Sequence, residues 1–321
     1  MTTTRTIASL ATIAAAALIL GACSPSSTGN TPTDQPPEQT TTGFTAPGDG
    51  DRGGKDRPIR IGVVGAQGPQ FHILKANAEA QGIYLEFVDF TDYQQPNPAT
   101  SSGDLDLNQF QHIRFLAQYN LASEADLAPI GSTAIYPLSL FSATYASVEE
   151  IPDGAQITIP NDETNLARAL GVLASAGLIT LKDGASALFA TADDVDPAAS
   201  RVSVTPVAAN QTGRTLQDPS VAGAIINNDY VADSGLDPSQ AIAQDDPASP
   251  AARAFVNIWV TRAADAEDPV YTEITRLAAR EDFGQALSEN SAGTGVVLTI
   301  APGQLQSDLA DVERQLREHA G

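Results

Sequence analysis

A chain of 321 residues carries 39 acidic against 17 basic side chains, and the resulting net charge of -22 argues against a nucleic-acid partner, because phosphate binding needs clustered Lys and Arg. Hydrophobic residues make up 42 %, enough to build one large or two medium packed lobes. A single cysteine excludes an intrachain disulfide, a cysteine zinc site and, if it is used elsewhere, a thiol nucleophile.

The first segment has Arg5, an apolar run from Ile7 to Leu20, and Leu20-Gly21-Ala22-Cys23. A positive start, a short apolar stretch and small residues at the cut read as a secretory signal, too short to span a bilayer. Cys23 is the only cysteine, and it stands where a bacterial lipoprotein signal places the residue that is cleaved before and lipidated. The expectation is a signal peptide over 1–22 and a mature chain that starts at Cys23. Acyl chains, palmitate among them, would hold it on the extracytoplasmic face of the cell membrane, more than one chain being needed for stable anchoring. Residues 23–57 are rich in Pro, Thr, Gly, Ser, Gln and Asp and hold one large apolar side chain, Phe44. Such a composition predicts a disordered tether reaching about 30 Å, from about 5–6 Å × √n.

From Ile59 strand-like and helix-like runs alternate. Strands are expected at Ile59 to Val64, Tyr84 to Phe90, Leu127 to Ile130, Leu138 to Phe141, Gln156 to Ile159, Val202 to Thr205, Ala222 to Ile226 and Asn257 to Thr261. Helices are expected at Phe71 to Gln81, Asn108 to Asn120, Glu163 to Ala176 with Asn161 or Asp162 as cap, Pro269 to Ala279 and Leu305 to His319. The alternation predicts an α/β fold with mostly parallel sheets covered on both faces. If Asn257 to Thr261 is a strand, Trp259 shares the face of Asn257 and should lie close to whatever site Asn257 serves.

Gly62, Gly65 and Gly68 follow a strand and precede a helix, but G-x-x-G-x-x-G is neither the dinucleotide nor the phosphate-loop spacing, so no cofactor is expected. Three histidines, His72, His112 and His319, come without a G-x-S-x-G or H-E-x-x-H motif, and Asp193-Asp194 and Asp245-Asp246 read as solvated turns. No catalytic set and no metal site is expected.

Three runs carry a resemblance. They are Val88-Asp89-Phe90-Thr91-Asp92-Tyr93 with Gln95-Pro96-Asn97, then Gly103-Asp104-Leu105-Asp106 with Asn108-Gln109-Phe110-Gln111-His112, then Ile151-Pro152-Asp153-Gly154-Ala155 leading to Ile159-Pro160-Asn161-Asp162, Thr164-Asn165 and Arg168-Ala169-Leu170. Their order behind a lipoprotein signal resembles the methionine-binding lipoprotein family, the solute receptors of methionine ABC transporters. The resemblance implies a two-lobe periplasmic-binding-protein type II fold with the ligand cleft between lobes. Lobe one would be 58–135 with 257–321, and lobe two 136–256.

It also implies a ligand-binding set of Tyr93, Phe110, His112, Asn165, Arg168, Asn227 and Asn257. Arg168 suits an α-carboxylate because a guanidinium fork matches its geometry. Asn227 and Asn257 match positions that bond the amino-acid backbone, and Tyr93, Phe110 and His112 match those that enclose a thioether, for which aromatic contact is favourable. Asn165 also fits a first-turn helix role. Without the resemblance, Arg168 would read as a surface cation, Tyr93 and Phe110 as core aromatics and His112 as a capped core histidine. Two departures stand out. Gln67-Gly68-Pro69-Gln70 replaces the family's Pro-Gly-Pro-His, with His72 displaced, and Asn227-Asn228-Asp229-Tyr230 replaces Asn-Gly-Asn-Tyr. The implied function is capture of methionine and delivery to a membrane permease with its ATPase, without catalysis. Another apolar amino acid, a methionine-containing dipeptide, or a surface adhesin with no transport role stays open. The C-terminal helix runs past the usual family end.

Overall fold

The computed structural model describes residues 44–186 and 188–320; the signal segment, Cys23 and residues 24–43 lie outside the described residues. Residues 44–57, expected as tether, instead pack on the body. Phe44 meets the first core, Tyr84 donates its backbone N–H to Gly53 O at 2.8 Å, and Arg52 reaches Tyr271 Oη at 3.1 Å and Asp106 at 3.7 Å. The segment is held by backbone bonds and one guanidinium more than by apolar burial, so its composition concealed the packing.

β1 (Ile59–Val64) leads through a glycine turn to α1 (Pro69–Glu79), whose Pro69 occupies the first helical turn, where its missing N–H costs nothing. Phe71, Leu74 and Ala78 then face the core. β2 (Leu85–Phe90) is followed by α2 (Pro96–Ser102), which stops at Gly103 in the left-handed region with φ 84°. β3 (Leu107–His112), α3 (Ile113–Ser123), β4 (Leu127–Ser132) and the short β5 (Ala134–Ile135) complete the first part. The chain then crosses into β6 (Ser139–Phe141), β7 (Gln156–Pro160), α4 (Glu163–Ser175), β8 (Ser203–Val207), α5 (Thr212–Thr215), β9 (Val221–Ile226), α6 (Asn228–Val231) and β10 (Ala243–Gln244). It returns as β11 (Asn257–Arg262), α7 (Pro269–Ala278), α8 (Glu281–Asn290), β12 (Val296–Val297) and α9 (Pro302–Ala320).

Two five-stranded sheets result, ordered β2-β1-β3-β11-β4 and β10-β6-β9-β7-β8. Each is mostly parallel, with four strands running one way and a single strand against them. β11 runs antiparallel to β3 and β4, while β6 runs antiparallel to β9 and β10. Strands reached by a crossing segment enter from the opposite end, and their direction reverses. Each sheet has its own apolar core, and a further cluster is shared: Val64, Tyr93, Phe110 and Phe115 from the first lobe meet Phe141, Ala224, Ile226 and Tyr230 from the second.

The run expected as one helix from Asn108 to Asn120 divides at His112. Residues 107–112 are a strand, buried along its whole length, and only the remainder is helical. Its amides are satisfied internally. Asn108 Nδ2 donates to Thr100 Oγ1 at 2.8 Å and to Asn97 Oδ1 at 3.1 Å, and Asn97 Nδ2 donates to Gln111 Oε1 at 2.8 Å. A polar run can be a central strand when each buried amide finds a partner. Trp259 is fully buried in the first core, its ring 6.4 Å from Phe283, and does not line the cleft; a register shift follows it along β11.

Candidate functional site

The ends of several strands converge between the lobes, the position where open α/β sheets hold ligands. Tyr93 follows β2, His112 ends β3, Asn165 sits in the first turn of α4 after β7, Asn227 follows β9, and Asn257 opens β11. All seven residues expected from the sequence line one cavity, with Gln111, Phe115, Tyr136, Leu138, Asn228 and Asp229. It holds about 430 Å³ of atom-free space, the open mouth included.

One wall is aromatic. Tyr93 lies 5.9 Å from Phe110, 6.2 Å from Phe115 and 5.0 Å from Tyr230, and Phe110 meets Phe115 edge-on at 5.7 Å. His112 caps α3, its Nδ1 accepting from Phe115 N at 3.1 Å, which leaves Nε2–H to face Asn165 Oδ1 at 3.4 Å. Asn165 is held in that orientation because its Nδ2 donates to both oxygens of Asp162, at 3.0 and 3.1 Å. Burial, aided by the charge of Arg168, lowers His112 to about 3, so the ring is neutral at physiological pH.

Arg168 is placed differently from its expected role. Its Nε and Nη2 grip Asp245 at 2.6 and 3.1 Å, Nη2 also donates to Tyr136 O at 2.7 Å, and the guanidinium lies 4.3 Å over Phe255. The two-donor edge expected for a ligand carboxylate is therefore occupied by Asp245, and that residue is an anchor rather than a solvated turn. Only Nη1 makes no hydrogen bond among the described residues. At the other end, Asn227 Oδ1 is buried without a partner, and Asp229 accepts from Tyr93 Oη at 2.8 Å across the cleft. Burial lifts Asp229 to about 6, against the opposing pull of its bonds to Tyr93 and Asn228.

The altered first turn serves a neighbouring cavity. Gln67, Gly68 and Gln70 line it together with Phe110, Tyr136, Asp229 and Asn257, while His72 points outward, exposed. Among the described residues no group of His, Cys, Asp and Glu is arranged to hold a metal, and no helix is long and apolar enough to cross a membrane.

A family model described as NlpA lipoprotein matches residues 59–298. The chain belongs to that family. A D-methionine-binding lipoprotein MetQ from Salmonella typhi is 39 % identical over 207 residues, 64 % of this chain and 74 % of the relative. The substrate-binding protein of a methionine transporter from Streptococcus pneumoniae superposes with a TM-score of 0.70 at 32 % identity, covering 75 % of this chain and 95 % of that one. A nutrient-binding protein from Burkholderia cenocepacia bound to methionine gives 0.67 at 30 % identity, covering 74 % and 99 %. The expected two-lobe type II binding-protein fold holds for this NlpA lipoprotein family member.

Sequence reasoning missed Phe115, Tyr136, Asp229, Asp245 and Phe255. Asp229 was visible as a departure within its motif; the others reach the site through tertiary packing, with no local signal.

Proposed function

We propose that this chain is a lipid-anchored, extracytoplasmic solute receptor that captures methionine between its lobes and hands it to an ABC permease driven by an ATPase, without catalysing a reaction. The observation that carries the proposal is the composition of the interlobe cavity that gathers all seven expected residues. Tyr93, Phe110, Phe115 and His112 supply polarizable apolar walls, which suit a thioether, while Arg168 Nη1 and the unpartnered Asn227 Oδ1 supply a donor and an acceptor for an amino-acid backbone. The relatives' names support the ligand, and the lipoprotein family supports the anchor.

A thermal-shift and calorimetry panel of L-methionine, D-methionine, leucine, glycylmethionine and methionylglycine tests this. A ligand at 100 times its Kd adds about 2.7 kcal/mol to unfolding, several degrees for a protein of this size. Methionine should give the largest shift; silence across the panel would favour the adhesin alternative. Cys23→Ala should abolish acyl labelling, and mass spectrometry finding wild-type Cys23 unmodified in the membrane fraction would remove the anchor.

A further inference from the structure

We infer that Asp229 determines specificity as the ionic partner of the ligand's α-ammonium group, which makes the cleft selective for free amino acids over N-acylated or amine-lacking analogues. The inference rests on the amino-acid reading above and goes beyond it, since the expected backbone contacts were neutral amides.

Three observations converge on Asp229. Its carboxylate lines the interlobe cavity and stands on the wall shared with the neighbouring one. It is fixed in place by Tyr93, whose hydroxyl donates to Oδ2 at 2.8 Å from the opposite lobe. No Lys, Arg or His pairs with it among the described residues, since Arg168 is taken up by Asp245 and Tyr136 O. A carboxylate offers about four lone-pair directions, and one hydroxyl and a neighbouring amide leave room for a further donor. A buried anion without a cation is costly, and the cost is offset when a cation enters beside it. Asn227 Oδ1, buried and unpartnered on the same wall, supplies a second acceptor. An ammonium has three N–H donors, so it can serve Asp229, Asn227 and one more acceptor at once.

The complementary charge pattern follows. Arg168 Nη1 faces a carboxylate, Asp229 faces the ammonium, and the zwitterion bridges them. Acylation of the amine turns a cation into a neutral amide with one N–H, which no longer compensates the carboxylate. The N-terminal residue of a dipeptide keeps its ammonium; a C-terminal methionine does not.

Calorimetry of wild type and Asp229→Asn with L-methionine, 4-(methylsulfanyl)butanoate and N-acetylmethionine tests this. Wild type should prefer methionine over both analogues by at least about tenfold. Asp229→Asn, nearly isosteric and still able to accept from Tyr93, should weaken methionine by about tenfold or more while leaving the amine-lacking analogue unchanged, so the preference collapses. Equal weakening of all three ligands would assign Asp229 a structural role and overturn the inference, as would an unchanged preference. A wild-type protein that binds none of the three overturns the methionine reading and this inference with it, an outcome distinct from binding without discrimination.

Discussion

At Arg168 the guanidinium works as part of a built mount, with Asp245 and Tyr136 O on one edge and the Phe255 ring beneath. Arg168→Ala should weaken methionine by about 2–5 kcal/mol, because it removes the donor proposed for the ligand and also leaves Asp245 without its partner. Arg168→Lys should recover little, since an ammonium lacks the planar fork that satisfies Asp245 and stacks on Phe255 together. Asp245→Ala should weaken binding by less than Arg168→Ala, because Tyr136 O and Phe255 still hold the side chain; wild-type affinity in that variant by calorimetry would deny Asp245 any positioning role. Asp229 governs a second expectation at this scale. Tyr93, Tyr136, Tyr230 and Asp233 face it, His112 across the cavity is neutral, and its carboxyl is raised to about 6. An acid raised on folding is charged at a cost above its folded value, so protonation as pH falls from about 6 toward 4 relieves the ligand-free protein while it removes the ammonium's partner. Affinity for methionine should therefore fall by up to about tenfold per pH unit below 6, and this group should add no loss of ligand-free stability over that window. Calorimetry and thermal unfolding across pH 4 to 8 check both halves, and Asp229→Asn should flatten the affinity profile.

Among the elements, α9 lies beyond the matched family region, which ends at residue 298. Leu305 and Leu309 bury it against Ile113, Leu116 and Leu127 of the first lobe, and Asp308 holds Arg253 at 2.7 Å. Its far end reaches the second lobe, where His319 stacks on Phe189 at 4.3 Å and 15°. Phe189→Ala or removal of residues 314–321 should raise the methionine dissociation rate by a few fold if release requires the lobes to part, because a ring stack contributes about 0.5–1.5 kcal/mol and this one ties the end of α9 to the second lobe. Stopped-flow dissociation checks it; an unchanged rate would confine α9 to stabilising its own lobe. Elements with local signals were legible in the sequence. Asp162 caps α4, and Asp268 with Pro269 opens α7, because capping chemistry is written in adjacent residues. β3 was not legible, since Asn108, Gln109 and Gln111 look solvent-facing until the fold brings Asn97 and Thr100 of α2 against Asn108 and Gln111, and Thr133 against Gln109. The site divides in the same way. Ordered motifs exposed Tyr93, Phe110, His112, Asn165, Arg168, Asn227 and Asn257, whereas Asp245 and Phe255 belong to it only through the crossing segments.

Across the whole molecule, Thr91 O accepts from Asn210 Nδ2 at 2.9 Å and from Tyr230 Oη at 3.3 Å, so the two lobes meet around the cavity through a small number of bonds and the shared aromatic cluster. Trp259, the only tryptophan, lies at 0 % exposure in the first core, out of reach of that interface. Its emission should stay constant through a methionine titration that calorimetry records as saturable, and a ligand-dependent shift would mean that closure strains the first core. The same placement makes it a fluorescent reporter of one lobe alone. Denaturation followed by tryptophan emission tracks the first sheet, whereas circular dichroism sums both, so the two curves coincide only when the lobes unfold as a unit. Methionine, by bonding to both, should draw separated curves together, and the distance between their midpoints becomes a direct measure of how strongly a small molecule welds two folding units into one.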